Sequence, residues 1–243
     1  MSLLEARQNS AIAGHIQGSE SGLVNVYRGR SKICFLSPQL YGLGTFDNYL
    51  EEDVPSCGEM EYIRAQTKPK DGKLLAIGHS MGGILLYAML SRCSYEGRDS
   101  GLAAIGTLAS SLNYTPSNSR LKLLFAPYPA QALNVPVVPL GAMLSAAYPL
   151  STRPPYVLSW LNVLISAQDM MHPELLEKLV LNNFCTIPAK LILQLTTAFR
   201  NGGLCDRSGK FFYQDHLHKS KVPVLAIAGD RDLICPPEAV EGV

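Results

Sequence analysis

Lys73–Leu90 reads KLLAIGHSMGGILLYAML. Its opening, KLLAIG, is a short apolar run behind the Lys70-Asp71-Gly72 turn, the pattern of a strand buried on both faces. From Ile84 onward, Leu85, Tyr87, Ala88, Met89 and Leu90 make one long apolar surface that ends near Arg92, the pattern of a helix. Between the two lies Gly78-His79-Ser80-Met81-Gly82-Gly83, a G-x-S-x-G sequence at a strand-to-helix junction. A chain that turns this sharply with serine at the apex needs small residues two before and two after it, here Gly78 and Gly82. Ser80 then stands exposed at a helix N-terminus. There the helix dipole and the Met81 N–H stabilise negative charge developing on an attacked carbonyl oxygen. His79 is expected to pack beside the serine. The same six residues also suit a glycine-rich turn that only packs closely.

Two further apolar runs, Leu102–Leu108 (LAAIGTL) and Val222–Ala228 (VPVLAIA), read as interior strands, with Pro223 where a strand start tolerates it. Apolar strands alternating with helices predict an α/β fold with a mostly parallel sheet. Ahead of them, residues 1–36 are polar and glycine-dotted, with only Leu23–Tyr27 and Lys32–Leu36 strand-like. A helical stripe of Phe46, Leu50 and Val54 is interrupted by Pro55 and Gly58 before Met60 and Ile63, which predicts a kink or two short helices. Between the second and third apolar runs the chain is rich in proline from Pro116 to Pro155 and then helical, best at 174–184 and 189–200. Pro173 and Pro188 occupy first-turn positions and Gly202-Gly203 a helix stop. The expected organisation is an uninterpreted segment 1–36, a core 37–111 with the Ser80 turn, an inserted helical cap 112–218 and a second core segment 219–243.

The 243 residues are 47% hydrophobic, with 21 basic against 20 acidic side chains and a formal net charge of +1, which excludes a disordered chain. The densest basic stretch, Lys68–Lys73, is broken by Pro69 and Asp71, so no nucleic acid partner is expected. No window reaches the ~18 consecutive apolar residues of a membrane span, since even Leu140–Leu150 contains Ser145 and Pro149. Six cysteines are scattered without a CxxC pair, the usage of reduced thiols. Gly203–Lys210 has the wrong spacing for a phosphate loop, Ser80 breaks a dinucleotide fingerprint, and His216-x-His218 lacks a ligand cluster beyond Asp215. Neither a cofactor nor a metal is expected. Met1–Gly18 has no apolar signal core, so the expected compartment is the cytoplasm or an organelle such as a plastid, not the exterior.

On the strength of the GHSMGG junction, the sequence from about Tyr41 to its end resembles the α/β-hydrolase superfamily, especially plant members with a helical cap. Pro223–Pro236 (PVLAIAGDRDLICP) resembles the strand and loop that carry the family's triad acid. Asp232, three residues after Gly229, matches that acid, with Asp230 as the neighbouring alternative, expected at the surface of the turn. The interval of 152 residues from Ser80 to Asp232 matches the family's cap insertion. The resemblance implies Ser80 as nucleophile, Asp232 as orienting acid, Met81 as one oxyanion N–H donor, and Gly78, His79 and Gly82 as the elbow. It also implies a small-molecule ester or apolar ligand. Leu140, Met143, Leu144, Val157, Leu158, Trp160, Leu161, Leu191, Leu193 and Leu195 suit an apolar acyl pocket, and suit equally the packing of cap helices on the core.

Two family parts depart from the pattern. Triad order is Ser, Asp, His, yet the eleven residues after Asp232 contain no histidine. Without an imidazole to take its proton a serine hydroxyl is a poor nucleophile, and loss of one triad member costs roughly 10⁴–10⁶ in rate. His216 and His218 are the alternatives as base. No His-Gly oxyanion loop precedes the elbow either, and Tyr41-Gly42-Leu43-Gly44 better matches the family's later turn. The expectation is a hydrolase chain shortened at both ends: a serine ester hydrolase, with a noncatalytic binding module or an inactive shortened isoform as the alternatives. Protein partners leave no signature in the sequence.

Overall fold

The computed structural model describes residues 23–28, 31–36, 44–53, 58–122, 135–168, 170–182 and 184–243, as backbone alone at 23–28, 31–36, 52–53 and 58–59. Tyr41 to Leu43 and His15 lie outside these. Leu23–Arg28 (β1) and Ser31–Leu36 (β2) pair as an antiparallel hairpin, Leu23 opposite Leu36 and Arg28 opposite Ser31. Phe46–Asn48 (α1) continues as the π-helical turn Tyr49–Asp53, and Gly58–Thr67 (α2) follows. The break expected at Pro55 lies outside the described residues, and the stripe is helical on either side of it. Leu74–His79 (β3) leads into Met81–Glu96 (α3), and Leu102–Leu108 (β4) comes next. Gly97, at φ 68, ends α3 in the left-handed conformation that glycine adopts without strain, its N–H donating to Cys93 O.

Val137–Val138 (β5) pairs with Ile187–Pro188 (β6), and between them run Leu140–Thr152 (α4), Trp160–Ile165 (α5) and Pro173–Asn182 (α6). Ala189–Leu195 (α7) tightens into the 3-10 turn Thr196–Phe199. Gln214–Leu217 (α8), Val224–Ile227 (β7) and Pro237–Glu241 (α9) complete the described elements. Pro173 opens α6 as expected, but Pro188 precedes α7 as its extended N-cap rather than sitting in its first turn. Among the described residues no helix is long and apolar enough to cross a membrane.

The fold is α/β, a three-stranded parallel sheet in the order β3-β4-β7 with flanking helices. α3 packs on one face, where Tyr87 and Thr107 share a 2.7 Å hydrogen bond between helix and central strand. Side chains of a strand alternate between faces. Leu74 and Gly78 of β3 and Ile105 and Thr107 of β4 are accordingly buried, as is Leu102, which precedes the register shift between Leu74 and Leu75. The expectation of burial on both faces is not met among the described residues: Leu75, Ile77 and Leu225 are 78%, 81% and 64% exposed. An apolar run alone does not distinguish a strand covered twice from one covered once.

Phe46 and Leu50 join Tyr87, Leu90, Ile105, Leu191, Leu204, Tyr213, Cys235 and Val240 in one continuous core. Within it sits a carboxylate. Asp47, 1% exposed, accepts hydrogen bonds on Oδ1 from Gln194 Nε2 at 2.6 Å and Tyr213 OH at 2.8 Å. Its Oδ2 accepts from the Arg207 backbone N–H at 2.7 Å, and the Arg207 guanidinium lies 3.7 Å away. A buried ionised group persists only when paired and fully hydrogen-bonded, and this arrangement meets that demand. Burial, reinforced by the Asp47 charge, raises the pKa of the Tyr213 phenol, so it remains a donor. Asp47→Ala strands three donors and is expected to cost about 3–5 kcal/mol of stability in urea denaturation, with Asp47→Asn costing less.

Candidate functional site

β3 carries the chain into the site one residue beyond its own end. The Ser80 N–H donates to Leu108 O at 2.9 Å, extending the ladder with β4. The backbone then reverses at once: Ser80 has φ 53 and ψ −120, and its carbonyl accepts from the Gly83 and Ile84 N–H groups at 3.0 and 3.1 Å to start α3. Positive φ at a residue with a side chain costs about 1–3 kcal/mol and persists only where its surroundings over-determine it. The surroundings here are glycine. A Cβ on Gly78 would sit 2.5 Å from the backbone of Gly82 and Gly83, and one on Gly83 would sit 2.2 Å from Ser110 Oγ. A Cβ on Gly82 would meet nothing within 4 Å. The second close approach expected at Gly82 is therefore made at Gly83.

The consequence is an exposed Ser80 whose hydroxyl forms no capping bond. Met81 begins α3, so its N–H is one of the helix's orphan donors, at the positive end of the dipole. His79 is exposed on the same sheet face as Leu75 and Ile77. Ser110 carried no signal in the sequence, since an isolated serine after a strand has no periodicity. It is 1% exposed, and its Oγ donates to Ser80 O at 2.9 Å and Leu108 O at 2.8 Å.

The acid loop follows β7. Asp232 N–H closes a turn on Gly229 O at 3.2 Å, and Asp232 Oδ1 accepts from Ile234 and Cys235 N–H at 2.8 and 2.9 Å. Oδ2 takes part in neither bond. Asp230 is exposed, as expected. Residues beyond β4 clamp this loop from behind: Ser119 Oγ donates to Ile234 O at 2.6 Å and Arg120 N–H to Leu233 O at 2.9 Å. Because β4 lies between β3 and β7, the strands leading to Ser80 and Asp232 are about 10 Å apart.

The histidines lie elsewhere. His216 stacks on Phe211, centroids 4.6 Å apart, and tilts against Tyr95 at 4.7 Å. Tyr95 belongs to the last turn of α3, so at 1.5 Å of rise per residue it is about 22 Å along the helix from Ser80. His218 follows α8 at the surface, and His172 precedes α6, its carbonyl accepting from Leu175 and Leu176. Among the described residues no histidine hydrogen-bonds Ser80 or Asp232.

The apolar residues assigned to a pocket divide. Leu191 is core, whereas Met143, Val157 and Trp160 are 56%, 64% and 43% exposed. Leu144 and Leu161 meet Tyr148, Ile165 and Val180 around a free volume of about 10 Å³, the space of a single water and not of an acyl chain.

Two measurements test these placements. Gly78→Ala is expected to lose about 3 kcal/mol or more in chemical denaturation through overpacking against backbone. Gly82→Ala should be neutral or gain up to about 1 kcal/mol, because its Cβ is free and alanine favours a helix. Burial pushes the Cys235 thiol from 9.0 up to about 11, outweighing the downward pull of its hydrogen bond with Tyr114. The unfolded chain thus releases this proton first, and stability that is full below pH 9 declines as pH rises toward 11. Urea midpoints measured across that range should fall less steeply for Cys235→Ala.

No protein-family model and no curated protein matches the sequence. Among solved structures the chain is similar to a monoacylglycerol lipase from Paleococcus ferrophilus at 15% identity and a TM-score of 0.43, over 85% of this chain. The chain spans 63% of that lipase's length.

Proposed function

We propose that this chain is a serine hydrolase of the α/β-hydrolase fold, acting on a carboxylic ester through an acyl-enzyme at Ser80. The observation that carries the reading is the strained Ser80 backbone, φ 53 and ψ −120, at a strand-to-helix junction with the side chain exposed and making no capping bond to the helix. The reversal that carries this strain lifts the side chain out of both the sheet and the helix. In this mechanism Ser80 Oγ adds to the ester carbonyl carbon while a base takes its proton, and the carbonyl oxygen becomes an oxyanion beside the Met81 N–H. The C–O bond to the alcohol breaks, the alcohol leaves with the proton, and water then releases the acid from Ser80. Asp232, whose Oδ1 takes the Ile234 and Cys235 N–H groups, is the residue of this reading that would orient the base through Oδ2. Residues 37–111 and 219–243 form the core and 112–218 the cap of this reading, and an apolar acyl group as substrate would meet the exposed Met143, Val157 and Trp160 rather than the water-sized space beside Leu144 and Leu161.

A second reading is favoured by the positions of the histidines: a noncatalytic hydrolase-fold module that holds an apolar ester or acid at the same place without turnover. A fluorophosphonate and a p-nitrophenyl ester of medium chain length separate the two. Covalent labelling and turnover that both disappear in Ser80→Ala, with its thermal transition retained, are expected of the hydrolase. Thermal stabilisation by the ester with neither labelling nor product identifies the binding module.

A further inference from the structure

Ser110 is buried at 1% exposure and bonds to two backbone carbonyls, one of them belonging to Ser80 itself. We propose that Ser110 is a positioning residue that holds the nucleophile's backbone in its strained conformation, an inference that rests on Ser80 being the nucleophile.

The placement of Ser110 depends on a second unusual turn. β4 ends at Leu108, and Ala109 continues the ladder by donating to Ile227 O at 2.9 Å while taking φ 49, left-handed for a residue with a Cβ. That reversal turns Ser110 back over the end of its own strand, where one hydroxyl proton is shared between Leu108 O at 2.8 Å and Ser80 O at 2.9 Å. Leu108 O already accepts the Ser80 N–H, so the hydroxyl bridges the two ends of the same residue's backbone attachment. Ser80 O also accepts from Gly83 and Ile84. A carbonyl with three donors cannot swing into an ordinary extended or helical geometry without stranding them in a buried site, where each unmet group is costly. Gly83 is the steric complement: any side chain there would occupy the position of Ser110 Oγ. The pair acts through the elbow backbone and touches no substrate.

The test uses the full chain with Ser110→Ala and Ser110→Thr, reading amide hydrogen exchange at Gly83 and Ile84 and the fluorophosphonate labelling rate at Ser80. In Ser110→Ala, exchange at Gly83 and Ile84 should rise about tenfold relative to Met89 and Leu90 in the middle of α3, the size of one net hydrogen bond. Labelling should fall by at least a similar factor, and Ser110→Thr, which keeps the hydroxyl, should recover it. Unchanged exchange at Gly83 and Ile84, or a rise shared equally by Met89 and Leu90, overturns the local holding role. Loosened amides with an unaltered labelling rate overturn the positioning role. A wild-type chain that never labels defeats the hydrolase reading alone, because the exchange ratio still decides whether Ser110 holds the elbow.

Discussion

At Ser80 a β-ladder and an α-helix share one residue. Its N–H belongs to the sheet and its carbonyl to the first turn of the helix, and both bonds are satisfied only if the backbone between them adopts a left-handed geometry. The neighbouring architecture follows from that requirement. Gly78 and Gly83 lack side chains because the backbone passes through the space these would fill. β4 lies beside β3 so that Leu108 O receives Ser80, and α3 departs at an angle that lays Tyr87 on Thr107. Relaxing the turn would unseat the helix from the sheet, and with it the largest shared part of the core.

The strand ends divide labour in the way parallel α/β sheets do, with loops beyond the carboxyl ends carrying the polar groups. β3 presents a hydroxyl, β4 turns back through Ala109 to brace it, and β7 leads to a carboxylate held through one oxygen by two backbone N–H groups. The brace and the acid loop are themselves connected, since residues 110–120 hydrogen-bond both to the Ser80 carbonyl and to the carbonyls of Leu233 and Ile234. Hydrogen bonds onto backbone carbonyls therefore tie the Ser80 turn to the loop that carries Asp232.

What the amino-acid order reveals about this molecule is uneven for physical reasons. The three central strands were legible because continuous apolar runs of that length have few other uses, and their residue ranges agree to within one or two positions with β3, β4 and β7. The Ser80 turn was legible because its steric demand selects small residues within five consecutive positions. Asp47 and Ser110 were illegible. The partners of Asp47 lie 147 to 166 residues away and the Ser80 carbonyl 30 residues from Ser110, and a single polar residue in a helical stripe or after a strand implies no particular partner. The position of His216 was equally illegible: nothing in the sequence shows that it stacks on Phe211 and meets Tyr95 in the last turn of α3. The exposure of Leu75, Ile77 and Leu225 among the described residues was likewise invisible, because apolar composition records suitability for burial and not its occurrence.

The Asp47 carboxylate has a bearing on how the chain reaches this state. Its three donors arrive from Gln194, Arg207 and Tyr213, so every one of its bonds closes a loop longer than half the chain. Such closures carry their entropy cost before they return any stabilisation, and they form after the local strand-turn-helix unit around Ser80. Contacts made this late belong to the native side of the folding barrier. They lengthen the lifetime of the folded molecule while leaving the rate at which it forms almost untouched.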